Sequence, residues 1–151
     1  MKISKLLKNQ DGASAVEFAI VLPLFLVLTF GIIEFGVIMY NKAIITNASR
    51  EGARFAILFD SVVHDDVDIA NKVKAHLKFD PIDNSSILIN LGGASAPPTI
   101  LVSPTPVSNR PRRTPISVTV KYPYDFMVVP NFLPGLPQTL TLSAITSMRM
   151  E

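Results

Sequence analysis

From Ala13 to Ile33 the chain is apolar, interrupted only by Ser14, Glu17, Pro23 and Thr29, and Glu17 is its one ionisable side chain. As a helix rising about 1.5 Å per residue, this run is about as long as a bilayer's hydrocarbon core is thick, roughly 30 Å. Any fold must therefore leave it in lipid or cover it on every side. A carboxylate near the start of such a helix is costly, because leaving water disfavours its ionised form. A lone membrane anchor gains nothing from it, whereas a helix that packs against its own kind could use the charge.

The run is preceded by a short basic head, in which Lys2, Lys5 and Lys8 outweigh Asp11. Positive flanks stay cytoplasmic, so the long C-terminal part is expected on the other side of the membrane. An ordinary cleaved secretory signal fits poorly. The apolar run is too long and contains Glu17, and Ala13-Ser14-Ala15 stands before the run, where signal peptidase does not cut. With 151 residues there is room for one membrane helix and one small soluble domain. The formal net charge of +2 and the absence of a long basic run speak against nucleic acid as a partner. Without cysteine the domain has neither disulfides nor a thiolate metal site. It must find stability elsewhere, and contacts with copies or partners are one source.

Helical patterning continues past the membrane run, giving one helix expected from Ala13 to about Leu58, kinked but not ended by Pro23. Beyond Tyr40 the pattern becomes amphipathic. Ile44, Ile45, Ala48, Gly52, Phe55, Ala56 and Phe59 recur at three- and four-residue steps, with Asn41, Lys42, Asn47, Arg50, Glu51 and Arg54 assigned to the other side. The small residues Ala48, Gly52 and Ala56 admit close approach by the domain's own sheet or by another subunit. A second helix is predicted from Asp65 to Lys78, with acids in its first turn, lysines later, and the stripe Ile69, Val73, Leu77. Alternating residues predict antiparallel strands at Ile87–Leu91, Ile116–Tyr122 and Leu140 to about Arg149. The connection from Gly92 to Thr114 is rich in Pro, Ser and Gly, with room for a short strand at Ile100–Val102.

The fold class is thus α+β: a long N-terminal membrane-spanning helix that extends into a small domain with a second helix and a three- to four-stranded antiparallel sheet. The expected divisions are a cytoplasmic basic leader at 1–12, a transmembrane helix at 13–40 and an extracytoplasmic domain at 41–151.

No catalytic, cofactor-binding or metal-ligating constellation is expected. His64 and His76 have no H-E-x-x-H spacing, and His64 beside Asp65 and Asp66 reads as part of a helix-capping acidic turn. The aspartates lack the glycine and closing glutamate of a calcium loop. Gly92-Gly93 reads as a turn, and Arg110, Arg112 and Arg113 as a solvated basic loop or a contact with an anionic surface. Glu34 is expected at the outer membrane–water boundary, as a solvated acid or a polar contact with another subunit. It lies about 100° around the helix from Glu17, so the two do not form one site.

A basic leader, a glycine, four residues, Glu-Phe and an apolar helix resemble the processing signature of type IV prepilins and pseudopilins. More narrowly, Gly12-Ala-Ser-Ala-Val-Glu-Phe-Ala-Ile-Val-Leu-Pro-Leu-Phe25 resembles the TadE-like family of the tight-adherence (Tad, or Flp) pilus system. Asn47-Ala-Ser-Arg-Glu-Gly-Ala-Arg54 resembles that family's second motif, and the tail from Ser143 to Glu151 its closing strand. The strong likeness covers about residues 11–59; the middle shares only its strand-rich character.

The resemblance implies a pilin-like fold and a minor pseudopilin-like component of pilus assembly. It implies cleavage between Gly12 and Ala13 by a prepilin peptidase, an aspartyl membrane enzyme, leaving a new amine on Ala13. Ala13 departs from the phenylalanine found there in many type IV pilins. Glu17 and Phe18 would then be the assembly and recognition residues, with the Glu17 carboxylate facing the α-amino group of a neighbouring subunit and setting axial register. Otherwise Glu17 is protonated or snorkels to the interface. Arg50, Glu51, Gly52 and Arg54 would pin the helix to the domain, or make only surface ion pairs such as Glu51 with Arg54. The implied partners are the peptidase, other pilins or pseudopilins, the Tad inner-membrane machinery and the lipid bilayer of a bacterial inner membrane. Two other readings stay open: an uncleaved bitopic scaffold of the pilus machine, and an extracytoplasmic adhesin that uses the helix as a tether.

Overall fold

A computed structural model describes residues 10–58, 65–93, 96–105, 114–128, 135 and 137–149. Its first element, α1 (Gln10–Ile57), is continuous through Pro23. The N-terminal half of α1 carries its apolar side chains outward, with Val16, Phe18, Ile20, Leu24, Phe25, Leu28 and Ile32 all exposed. From Glu34 onward one face is buried: Glu34, Ile38, Asn41, Ile45, Ala48, Gly52 and Ala56 follow one another at three- and four-residue steps. The buried stripe therefore begins before Tyr40, earlier than expected. It includes Asn41, which the sequence pattern had assigned to the opposite, polar side.

The second helix, α2 (Asp66–His76), lies within the predicted span. Asp65 caps it: its side chain accepts from the Asp66 N–H at 2.7 Å, and the Asp68 carboxylate accepts from the Asp65 N–H at 3.2 Å. The capping acids face the positive helix start, and Lys74 and His76 sit in the last turn, as the dipole favours. Ile69, Val73 and Leu77 are fully buried. The Lys72 ammonium lies 5.6 Å from the centre of the Phe55 ring on α1. His64 and Phe59 lie outside the described residues.

Three antiparallel strands follow, β1 (Thr99–Ser103), β2 (Pro115–Asp125) and β3 (Thr139–Arg149), in the spatial order β1-β2-β3. Ile116, Val118, Val120, Tyr122 and Tyr124 of β2 face the core and are fully buried. Pro123 sits near the end of β2, beyond β1, whose pairing covers only Ser117 to Lys121. There β2 is a sheet edge on that side, where a residue without an N–H is tolerated.

The strands run nearly along α1. At one end a Cβ on Gly52 would lie 3.2 Å from Val118 Cγ1, while at the other the Met127 N–H donates to Glu34 Oε1 at 2.5 Å. On β3, Ser49 Oγ and Thr146 Oγ1 hydrogen bond at 2.5 Å, and Lys42 Nζ donates to the Ser143 carbonyl. The small-residue stripe thus packs within its own domain: a Cβ on Gly52 would also come within 2.5 Å of Val73 Cγ2 on α2.

Residues 87–91 form no strand, contrary to their alternating pattern. Their backbone is held by side chains of α1 instead. The Asn41 amide bonds both the N–H and the carbonyl of Ile89, and Tyr40 Oη donates to the Ile87 carbonyl at 3.3 Å. A buried Asn side chain presents the same donor and acceptor as a neighbouring strand, so this segment lies on the helix without a sheet partner.

Candidate functional site

Gly12 and Ala13 lie in the first turns of α1, and nothing stands within 4 Å of where a Gly12 Cβ would be. Glu17 and Phe18 are exposed, with Phe18 at 64%. Among the described residues nothing buries this half of the helix: the apolar window of the candidate span is 0% buried. By length and composition α1 can cross a membrane. A Glu17 carboxylate on such a surface finds any polar partner outside its own soluble domain, in the interface or on another molecule.

Glu34 behaves differently. It is 2% exposed and held beneath the domain by the Met127 N–H. The expectation of a solvated boundary acid, or of a contact with another subunit, is corrected: the chain's own domain folds over it. Glu34 and Asn41 are seven residues apart, two helical turns, and so share the face that receives the domain. Their place in a register continued by Ile38, Ile45 and Ala48 was the signal in the sequence that could have revealed both.

A second network secures the same end of the domain. The Asn90 side chain donates from Nδ2 to Asp125 Oδ2 at 3.2 Å and accepts the Asp125 N–H on Oδ1 at 3.0 Å. Thr139 Oγ1 donates to Asp125 Oδ1 at 2.7 Å, and the Gly92 N–H donates to the Asp125 carbonyl at 3.0 Å. The Gly92-Gly93 pair is required by closeness. A Cβ on Gly92 would lie 2.2 Å from the Phe126 carbonyl oxygen, and one on Gly93 2.6 Å from Asp125 Oδ2.

In the second motif, Gly52 faces α2 and β2, whereas Arg50 and Arg54 are exposed. Arg54 grips Glu51 with two hydrogen bonds, from Nε at 3.0 Å and from Nη2 at 2.9 Å. The guanidinium bond lowers the Glu51 pKa and the reciprocal bond raises that of Arg54. Glu51 also borders a shallow open depression with Lys72, Ala75 and His76. Among the described residues no group of three or more His, Cys, Asp or Glu could hold a metal ion. Arg110, Arg112 and Arg113 lie outside the described residues.

No curated protein and no solved structure matches the chain. A family model described as TadE-like protein does match, over residues 12–54. That span opens at Gly12, takes in Glu17 and the uncovered apolar half of α1, and closes on Arg54 of the second motif. The assignment to the TadE-like protein family is carried by residues 12–54, the segment that the family model matches.

Proposed function

We propose that this chain is a minor, non-catalytic pseudopilin-like component of Tad (Flp) pilus assembly, cut after Gly12 by a prepilin peptidase. The observation that carries the reading is the family match over residues 12–54, which falls on a helix whose first half its own fold leaves bare. Lipid covers that half before assembly, and neighbouring helices cover it afterwards. Lys2, Lys5 and Lys8 hold the head in the cytoplasm. Removal of residues 1–12 leaves an amine on Ala13, and Glu17 of one protomer receives the amine of another. In low dielectric a lone carboxylate is penalised, and a close opposite charge offsets much of that cost. The soluble domain rides outside the leaflet, where it meets other pilins and the inner-membrane machinery.

The test is the intact mass of protein extracted from membranes, with and without the peptidase. Loss of residues 1–12 only when the peptidase is present is the expected result. A Met1 terminus in both samples sinks the processing step and favours an uncleaved scaffold. In a second arm, Glu17→Leu should abolish fibres while the protein still accumulates; normal fibres from that variant would remove the assembly role of Glu17.

A further inference from the structure

The soluble domain has a definite lower rim, and its chemistry suits lipid. The Met127 N–H is bonded to Glu34, one residue past the apolar run that ends at Ile33. The rim therefore lies at the level where α1 leaves the hydrocarbon. Three exposed apolar residues lie at this end of the domain. Met127 is 49% exposed, Leu140 36% and Leu91 37%. They are neighbours through the backbone: Leu140 pairs with Tyr124, and Leu91 precedes Gly92, whose N–H is bonded to Asp125. On the helix, Ile33 and Phe35, which flank Glu34 in sequence, are also exposed, so apolar side chains of α1 reach the level of the rim.

Charge agrees with this. From Phe126 to Met148 the sequence contains no Asp, Glu, Lys or Arg. The two acids at this end are both engaged, Glu34 accepting the Met127 N–H and Asp125 bonded by Asn90 and Thr139. A soluble domain has no reason to gather bare Met and Leu at one end unless that end meets an apolar phase. The bilayer is the phase already adjoining it.

We propose that the rim formed by Met127, Leu140 and Leu91 rests in the interface of the leaflet from which the domain emerges. The chain then touches the membrane twice, through α1 and through Met127, Leu140 and Leu91. Two contacts fix the tilt and rotation of the domain on the membrane, where one helix alone leaves it free to swing. The proposal rests on the reading of residues 13–33 as membrane-spanning.

The chain has no cysteine, so single introduced thiols report without background. Met127→Cys, Leu140→Cys, Phe25→Cys and Ile145→Cys are each labelled with an environment-sensitive fluorophore in the full chain. The proteins are reconstituted in phosphatidylcholine nanodiscs and challenged with aqueous iodide and with lipids spin-labelled at shallow or deep acyl positions. Phe25 is the reference for the span. Ile145, 68% exposed and next to Thr146 at the level of Ser49, is the aqueous reference. The expected result is that shallow spin label quenches Met127 and Leu140 while iodide does not. Deep label should quench Phe25, and iodide Ile145.

If Phe25 is quenched by deep label but Met127 and Leu140 by iodide, the second contact is overturned and the span stands. Shielding of Met127 and Leu140 from both quenchers also overturns it, assigning the rim to a protein partner. If deep label fails to reach Phe25, the membrane-spanning reading itself fails and takes the proposal with it.

Discussion

Asn41 of α1 and Ile89 exchange two hydrogen bonds, the Asn41 Nδ2 donating to the Ile89 carbonyl at 2.6 Å and the Ile89 N–H donating to Asn41 Oδ1 at 2.9 Å. Asn41 is fully buried. Its amide presents a donor and an acceptor side by side, as a peptide group does. Asn41→Leu removes both bonds to the backbone of the half-exposed Ile89, and each is worth about 0.5–1.5 kcal/mol. Asn41→Asp keeps the acceptor and loses the donor, so it should fall between. Urea unfolding of the soluble domain in detergent micelles, read with amide exchange at Ile89, measures both. An unchanged midpoint for Asn41→Leu would show that the 87–91 segment is held by something else.

That pair also marks where the sequence stopped being legible. The long helix, α2 with its Asp65 cap, and β2 and β3 follow from periodicities that single residues enforce: Ile69, Val73 and Leu77 on one helix face, Ile116 to Tyr124 on one strand face. These are local signals. Ile87–Leu91 alternates like a strand, yet whether a strand forms depends on a partner edge, and here Asn41, far away in sequence, supplies the pairing. Glu34 failed in the same way. A single acid after an apolar run reads as a boundary residue, and only the placement of β2 along α1 brings the Met127 N–H over it. Gly52 was legible as a place of close approach, but the small-residue spacing left open which surface approached; Val73 and Val118 answer that.

Gly52→Ala should loosen the joint between α1 and α2. The added methyl would stand 2.5 Å from Val73 Cγ2 and 3.2 Å from Val118 Cγ1, and both neighbours are buried, β-branched and stiff. Overpacking of this kind costs about 1–3 kcal/mol, against a helix-propensity gain of about 1 kcal/mol. The net change is destabilising, and Val73→Ala added to it should recover part of the loss, because the two sites share one space. Gly36→Ala, with nothing within 4 Å, is the control and should show only the propensity gain, with the unfolding midpoint not lowered.

The two core tyrosines make stability fall at high pH. Burial first, then the Glu34 carboxylate and Tyr122, push the Tyr124 hydroxyl up to about 12. Burial first, and then Asp125, raises Tyr122. An unfolded tyrosine titrates near 10. Above about that pH the unfolded chain loses protons that the folded chain keeps, so stability from these groups is full below pH 10 and drains away towards 12. Among the described residues neither hydroxyl has a hydrogen-bond partner. Tyr124→Phe should therefore cost nothing at neutral pH and lose less stability than the parent as the buffer is taken alkaline. A neutral-pH loss above ~1 kcal/mol would show that the hydroxyl is bonded, for instance to internal water.

Glu34 ties the domain to the point where α1 leaves the apolar run, so its substitutions separate acceptor chemistry from charge. Glu34→Gln retains an oxygen where Oε1 accepts the Met127 N–H at 2.5 Å. Glu34→Leu removes that acceptor while restoring apolar burial. If the hydrogen bond is what holds the rim down, Gln should keep Met127 amide exchange near the parent rate, whereas Leu should speed it and lower the unfolding midpoint by the equivalent of roughly 1–3 kcal/mol. If charge were the essential property, Gln and Leu would fail alike. If packing alone mattered, Leu would match or exceed the parent and Met127 exchange would not change. Amide exchange at Met127 across the three proteins therefore distinguishes a hydrogen-bonded anchor from a charge or a filler, in a residue whose 2% exposure leaves it no solvent to fall back on.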